Sequence, residues 1–232
     1  MMKEKIKLAI LEDHQSVIDG YMYRFGEAQD IEIVAIVRYG ERLEETLASQ
    51  PVDVLIMDIN VPSSPDNPNT FPVLHTIQRI AQKYPNLEIL VVSVLRQEVF
   101  IRSLVDAGIS GYIFKDDSNS ILQLAKIVPA IANGGIYFSE EAYQALRREE
   151  SSRSSSLLTA RQIEALSLCA SYPDLSTAGI AEEMGVAGST LRNLLSGAYI
   201  RLGVRSRAAA IVRLQQLGLL PLQGRENEPP EE

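Results

Sequence analysis

Several features are scarce in this sequence of 232 residues, and each scarcity removes a class of protein. Cysteine occurs once, at Cys169, so a disulfide framework is excluded, and the apolar helical pattern around it predicts a small core residue. No apolar stretch approaches the roughly 20 residues needed to cross a bilayer. The first residues lead into a strand-like run without the apolar region of a signal peptide. Together these features predict a cytoplasmic protein with no membrane partner.

Two kinds of ligand-binding motif are also missing. Glu12, Asp13 and His14 follow the first strand-like run where a dinucleotide site would have Gly-x-Gly-x-x-Gly, and acidic side chains there repel phosphate. The only other histidine is His75. Neither histidine has a second nitrogen or sulfur ligand at a diagnostic spacing, so no zinc-type cluster is expected. We expect His14 in the first turn of a helix and His75 on a solvated helix face.

The net charge of −8 is unevenly distributed. Residues 1–140 carry 12 basic and 19 acidic side chains, whereas residues 151–220 carry 7 basic and 4 acidic ones. Because only the second region has an excess of positive charge, it alone is expected to meet an anionic partner.

Apolar runs and amphipathic helical patterns alternate through residues 6–133. Strand-like runs fall near residues 7–11, 31–37, 53–57, 88–94 and 111–114. Helix-like patterns fall near residues 15–27, 41–49, 72–83, 97–107 and 118–132. Five such units predict an α/β fold with a doubly wound, five-stranded parallel sheet covered by helices on both faces.

The remainder predicts a second, all-α domain. Residues 141–156 are polar and rich in serine, typical of a flexible linker. Four short helical patterns follow within residues 157–220, and the acidic tail 221–232 is expected to be disordered. Residues 1–140 would form the first domain. The helices are expected to begin at Thr159 (with Gln162 as a capping box), Ser176, Ser189 or Thr190, and Ser206.

Charged residues follow three of the predicted strands: Glu12 and Asp13, Asp58, and Lys115. The carboxyl ends of parallel strands open on one crevice, so three carboxylates would face one ammonium. Like charges this close repel unless a cation lies among them, and oxygen ligands favour Mg²⁺. Asp58 alone is compatible with a structural or capping role. Together with the other charges it predicts a nucleophile that forms an aspartyl phosphate, with Ser93 donating a hydrogen bond to the phosphate.

The segment between Asp58 and the next helix is long. Residues 59–71 are rich in proline and asparagine, which predicts an exposed loop at the rim of the crevice. It is either a tolerated surface insertion or a rim specific to a partner.

Residues 5–133 resemble the receiver domain of two-component response regulators. The resemblance rests on an ordered set: Glu12-Asp13, Asp58 followed by Asn60, Ser93, and the run Gly111-Tyr112-Ile113-Phe114-Lys115. It implies that the histidine of a sensor kinase phosphorylates Asp58. It implies Mg²⁺ binding by Glu12, Asp13, Asp58 and the Asn60 carbonyl. Ser93, Tyr112 and Lys115 would then couple phosphorylation to the face formed by the fourth helix and fifth strand.

Residues 157–217 are similar to LuxR-type DNA-binding domains of the NarL/FixJ class. The matching residues are Leu158-Thr159, Arg161, Ile180-Ala181, Thr190-Leu191-Arg192, Arg201-Leu202-Gly203-Val204 and Arg207. The similarity makes the third helix of this region the recognition helix for double-stranded DNA and the fourth a dimerisation surface. The residues predicted to contact DNA are Ser189, Thr190, Arg192, Asn193, Ser196, Arg201, Arg205 and Arg207. A small helical module that binds protein remains the alternative for this region taken alone.

The expected function is a DNA-binding response regulator, acting as a homodimer at least when active, and not an enzyme. One alternative is a phosphorylation-independent regulator whose first domain serves dimerisation or ligand sensing. Another is a hydrolase with Asp58 as nucleophile. The hydrolase is disfavoured because Asn60, two residues on, cannot act as a general acid.

Overall fold

The computed structural model describes residues 4–151 and 157–220. Within them, no helix combines the length and apolar character required to cross a membrane. The predicted disordered tail and the second part of the predicted linker lie outside the described residues.

A six-stranded sheet forms the first domain. Its strands are β1 (Ile6–Leu11), β2 (Ile31–Val37), β3 (Val54–Met57), β6 (Glu88–Ser93), β7 (Gly111–Phe114) and β8 (Tyr137–Phe138). They lie in the order β2-β1-β3-β6-β7-β8, and all neighbouring strands are parallel. The predicted fold class is correct, but the sheet has one strand more than the five expected.

Helices cover both faces of this sheet, which is why its central strands are continuous apolar runs. The helices of this half are α1 (Gln15–Gly26), α2 (Leu43–Ser49), α3 (Val73–Lys83), α4 (Glu98–Ala107), α5 (Ser118–Leu122), α6 (Leu124–Ala132) and α7 (Glu140–Ser151). Side chains of α1 and α6 form one core with the sheet, and those of α2, α3 and α4 form the other.

Helix α7 lies where a flexible linker was expected to begin, and the sixth strand lies just before it. Most of the predicted linker 141–156 is helical, because α7 packs on α4 and β7. Strand β8 pairs with β7, and a Cβ atom on Gly111 would lie 2.4 Å from the carbonyl oxygen of Tyr137. Glycine at this position therefore permits the close approach of β8.

The segment after Asp58 is not the exposed loop predicted from its composition. It folds into an antiparallel hairpin of β4 (Pro62–Ser64) and β5 (Asn67–Thr70). Ile59, Val61 and Phe71, which flank the hairpin, are buried. The hairpin is thus anchored at its base rather than loosely exposed.

The second half consists of four helices: α8 (Ala160–Ser171), α9 (Thr177–Glu183), α10 (Gly188–Leu202) and α11 (Arg207–Gln216). The predicted caps at Thr159, Ser176 and Ser206 are present. The prediction that Ser189 or Thr190 caps the third helix is wrong. Helix α10 begins after Ala187, which makes no side-chain capping bond. Helix α10 ends at Gly203 with φ 68°.

Helix α11 buries one side only. Ala210 and Leu214 face inward, whereas Ala209 and Val212 are exposed. Close packing explains the glycine within α10. A Cβ atom on Gly197 would lie 2.8 Å from Nε2 of Gln162 in α8.

The two halves share one apolar core. Buried residues of α8, including the predicted core residue Cys169, belong to the same cluster as the side chains of α3 and α4. Helix α8 is buried along most of its circumference because it lies between the first domain and the other three helices.

Candidate functional site: an acidic crevice at the sheet edge

The strand order reverses between β1 and β3, and the acidic residues lie at that point. The chain runs outward from β1 to β2 and then returns to β3 on the other side, so a crevice opens at the carboxyl ends of β1 and β3. Leu11 and Met57 are register partners, and the N–H of Asp58 donates to the carbonyl of Leu11 at 2.9 Å. Glu12 and Asp58 are therefore side by side.

Lys115 reaches both carboxylates. Its Nζ lies 2.7 Å from Oε2 of Glu12 and 2.9 Å from Oδ2 of Asp58. Its backbone N–H donates to the carbonyl of Ser93 at 2.9 Å, which places the base of the side chain beside β6. The structure thus brings together Glu12, Asp13, Asp58 and Lys115, and we call these four residues the crevice cluster.

The crevice cluster has an excess of negative charge in a poorly solvated place. The side chains of Glu12 and Asp58 are 1% and 4% exposed, and that of Asp13 is 21% exposed. Burial and the neighbouring Glu12 carboxylate raise the pKa of Asp58, and Lys115 offsets this only in part. Burial by itself lowers the pKa of Lys115, but Asp58 and Glu12 outweigh it and the pKa is raised.

These carboxylates fit a hard divalent cation. Glu12, Asp13, His14 and Asp58 each offer a ligand atom, and these atoms all lie within 4.8 Å of one another. The N–H of Asn60 donates to Oδ1 of Asp58 at 3.1 Å, so the predicted fourth ligand residue also lies at the site.

His14 lies beside this cluster. It precedes α1 as the N-cap residue, without a side-chain capping bond. Its Nδ1 lies 2.9 Å from Oδ1 of Asp13 and 3.1 Å from Oε1 of Glu12. The turn after β1 folds its side chain back over the acidic pair, and the group contains no second nitrogen or sulfur ligand among the described residues.

Ser93 and Tyr112 line the loop that leaves β6. Ser93 is fully buried, and its Oγ accepts a hydrogen bond from the N–H of Leu95 at 3.2 Å. The hydroxyl of Tyr112 donates to the carbonyl of Leu95 at 2.6 Å. Burial raises the pKa of Tyr112, so its phenol stays protonated and can donate this bond. One loop therefore joins Ser93, next to the crevice, to Tyr112.

The face formed by α4 and β7 is covered by the chain itself. Strand β8 occupies the edge of β7, and α7 packs on α4. Arg96 makes ion pairs with Asp116 and Glu141 across this face. If Ser93, Tyr112 and Lys115 couple phosphorylation to this face, the structural change would therefore reach β8 and α7 first.

His75 was expected on a solvated face and is instead buried, with 6% exposure. Its Nδ1 lies 2.9 Å from Oε1 of Glu164, and Nη1 of Arg161 lies 2.7 Å from Oε2 of the same carboxylate. We call His75, Arg161 and Glu164 the interdomain cluster. One sequence signal was available: Glu164 is the only acidic residue of α8.

Most of the predicted DNA contacts in the second half are accessible to solvent. Thr190, Arg192, Asn193, Ser196, Arg201 and Arg205 are exposed. Arg207 differs, because its Nη1 donates to the carbonyl of Leu175 at 2.7 Å and so fastens the segment between α8 and α9. The backbone of Ser189 lies in the first turn of α10, and its side chain is outside what the structure describes.

A doubly wound parallel sheet with this acidic crevice defines a receiver domain. The family model of the response regulator receiver domain matches residues 8–126, more than half of the chain, and the chain belongs to this family. The similarity to known relatives extends over both halves of the chain. The transcriptional regulatory protein DegU of Brevibacillus brevis is 26% identical over 231 residues, covering 90% of this chain and 93% of that protein. The nitrate/nitrite response regulator protein NarP of Escherichia coli (strain K12) is 27% identical over 217 residues, covering 91% and 96%.

Solved structures with the same two-part fold are also known. RcsB from Salmonella enterica serovar Typhimurium, bound to the promoter rprA in the presence of beryllofluoride, matches with a TM-score of 0.64 at 18% identity. The match covers 91% of this chain and 99% of that one. The likeness shows that the chain shares the fold of these structures over both of its halves.

Proposed function

We propose that this chain is a DNA-binding response regulator that controls transcription and is phosphorylated on Asp58 by the histidine of a sensor kinase. The contact of Lys115 with Asp58 in a crevice with excess negative charge is the main support. The receiver domain would comprise residues 1–140 and the LuxR-type DNA-binding domain residues 157–220. The relatives are transcriptional regulators, which supports a regulatory rather than an enzymatic role.

The residues of the crevice suit phosphoryl transfer. An oxygen of Asp58 forms a bond to phosphorus while the bond from phosphorus to the donor nitrogen breaks. Lys115 can pair with an oxygen of the transferred group, and Ser93 can donate a hydrogen bond to it. Glu12, Asp13, Asp58 and the carbonyl of Asn60 would hold Mg²⁺. When bound, this ion neutralises charge on the phosphoryl oxygens.

The Asp58→Ala variant tests the site. We expect the wild type to take up phosphate from a small phosphodonor in the presence of Mg²⁺, and Asp58→Ala to take up none. Asp106→Ala, a change at an exposed aspartate of α4, is the matched control and should label like the wild type. Full labelling of Asp58→Ala would refute the site. Absence of labelling in the wild type, with DNA binding intact, would favour the phosphorylation-independent regulator.

The second half suits binding of double-stranded DNA as a dimer. Its exposed arginines can neutralise phosphates, and the exposed face of α10 can reach base edges in the major groove. RcsB, a neighbour of the same fold, has been solved in complexes with DNA, including two dimers bound to two parallel DNAs. These complexes support DNA binding and dimerisation here.

Two arginine variants separate base contacts from phosphate contacts. Arg192→Ala should weaken binding to the target sequence by about 1–3 kcal/mol, whereas Arg205→Ala should mainly reduce the salt slope by about one. Arg213→Ala, an exposed change on α11, is the control. Gel shifts over a salt series would contradict the proposal if Arg192→Ala and Arg205→Ala both bind like the wild type.

A further inference from the structure

One apolar side chain of the second half is unusually exposed. Ile200 is 80% exposed, more than any other large apolar residue in the part of the chain that the structure describes. Single apolar residues are common on protein surfaces, so exposure alone carries no conclusion. Its position does, because Ile200 lies on α10, the helix predicted to enter the major groove of DNA.

Ile200 lies on the side of α10 that is opposite the core. Leu191, Leu195, Ala198 and Leu202 are buried and form one stripe along the helix. With 3.6 residues per turn, the step from Leu191 to Ile200 makes about two and a half turns. Ile200 is therefore about half a turn away from the buried stripe, in the middle of the exposed side.

Two of the predicted DNA contacts share this side of the helix. Asn193 lies two turns before Ile200 and Ser196 one turn before it, and both are exposed. With a rise of 1.5 Å per residue, Asn193 and Ile200 are about 10 Å apart along the helix axis, which is the height of roughly three base pairs. A helix lying along the groove would therefore bring Ile200 to a base pair that Asn193 does not reach.

Arginines near both ends of α10 favour DNA as the partner of this side. Arg192 lies in the first part of the helix, Arg201 near its end and Arg205 just beyond it, and all three are exposed. Their guanidinium groups can pair with phosphates at both ends of the helix, which would hold the part between them against the groove. Positive charge around an apolar side chain thus fits a polyanion as the partner.

The major groove offers an isoleucine side chain one kind of favourable contact. Thymine carries a methyl group at C5 there, whereas the other base edges in this groove present hydrogen-bond donors and acceptors. The side chain of Ile200 has no donor or acceptor. Against a G·C pair it would cover polar atoms without bonding them, which costs free energy. Ile200 therefore favours thymine over the other bases.

We propose that Ile200 is a specificity-determining residue that contacts the C5 methyl group of a thymine in the target sequence. This inference rests on the proposed binding of double-stranded DNA by the second half. The contact adds to those expected from Arg192 and Asn193. It selects thymine at a position about three base pairs from the one that Asn193 reads.

Selection of binding sites from a pool of double-stranded DNA of random sequence tests the inference without a known target. The full chain and Ile200→Ala each select sequences, with and without beryllofluoride and Mg²⁺, so that both states of the receiver are sampled. We expect the wild type to select a thymine that Ile200→Ala no longer selects, with the rest of the sequence unchanged. Ile136→Ala, the same change at an isoleucine of the first half that is 76% exposed, is the matched control.

Replacement of the selected thymine by deoxyuridine then isolates the methyl group. Deoxyuridine lacks this methyl group and keeps the O4 acceptor of thymine. The wild type should bind the substituted DNA about fourfold more weakly, the effect of one buried methyl group. Ile200→Ala should bind both DNAs equally, and Ile200→Val should keep part of the difference. A merely destabilised α10 would instead weaken binding to both DNAs by the same factor.

The outcomes separate the inference from the function on which it rests. If the wild type selects no sequence in either state, the proposed function fails and the inference with it. If the wild type selects a sequence but is insensitive to deoxyuridine, or if Ile200→Ala is equally sensitive, only the inference fails. A lower solution mass of Ile200→Ala with an unchanged selected sequence would assign Ile200 to a contact between copies of the chain and would also overturn the inference.

Discussion

Two buried groups of charges in this protein have opposite character. The crevice cluster contains three carboxylates and one ammonium, whereas the interdomain cluster contains one carboxylate between a histidine and an arginine. Burial raises the pKa of Asp58 in the first. Burial by itself also raises the pKa of Glu164 in the second, but hydrogen bonds from His75 and Arg161 outweigh it, and the pKa is lowered.

The difference separates a site that needs a ligand from one that is complete. A carboxylate with a raised pKa gains from an added cation, which is the chemistry expected of a Mg²⁺ site. A carboxylate with a lowered pKa already has the partners that compensate its burial. We therefore interpret the crevice cluster as the place of chemistry and the interdomain cluster as the place of attachment.

Removal of Lys115 should have the largest effect on stability. In Lys115→Met, Glu12 and Asp58 remain buried next to each other but lose the ammonium that pairs with both. The free energy of unfolding in EDTA should therefore fall by about 3–5 kcal/mol. Saturating Mg²⁺ should restore part of this loss. Urea unfolding with and without Mg²⁺ measures both effects, with the exposed Lys126→Met as control. A variant as stable as the wild type in EDTA would contradict the contrast between the clusters.

Removal of Glu164 should have a smaller effect that Mg²⁺ does not repair. Glu164→Ala leaves the buried Nδ1 of His75 without its partner, which costs about 1–3 kcal/mol. Urea unfolding of Glu164→Ala and of the exposed control Glu182→Ala checks this value. Recovery of Glu164→Ala by Mg²⁺ would show that the two clusters are not independent.

The pH dependence sharpens the same contrast. Because the pKa of Glu164 is lower in the folded protein, its stabilising contribution is fully present above the ordinary value of 4.5 and disappears as pH falls through the folded value. The difference in unfolding free energy between the wild type and Glu164→Gln should therefore be constant well above pH 4.5 and shrink as the pH falls below it. Urea unfolding at several pH values tests this, and a difference that grows on acidification would oppose it.

The smallest effect is expected at Arg161. Its side chain is 49% exposed, so its ion pair with Glu164 is screened by water, and Arg161→Ala should cost at most about 1 kcal/mol. Glu164 keeps His75 as a partner in this variant. If Arg161→Ala lowers the free energy of unfolding as much as Glu164→Ala does, Arg161 rather than His75 is the main partner of Glu164.

Short-range patterns predicted the sheet and the crevice well. Strands β1, β3 and β7 end in buried apolar residues, and the charged residue that follows each of them cannot continue the apolar run. The convergence of Glu12, Asp58 and Lys115 on one crevice could be predicted from the sequence, because parallel strands end at the same edge of the sheet. The capping residues Thr159, Ser176 and Ser206 were predictable for a similar reason, since a cap bonds an N–H only three residues away.

Other features depended on partners far away in the chain. Residues 59–71 have a loop-like composition, but Ser171, about a hundred residues later, fixes the hairpin they form. His75 lies on a helix whose outer face is covered by α8, and its partner is 89 positions away. Strand β8 is only two residues long, and it forms because Gly111 leaves room beside β7.

The α/β fold, the helical second half and the convergence of acids and lysine are local properties of the sequence, because they follow from periodicity, caps and the polarity of parallel strands. The docking of α8 on the hairpin, the joint burial of His75 and Glu164, and the covering of β7 by β8 and α7 arise only in the folded chain. Burial of a polar side chain depends on which distant surface lies against it.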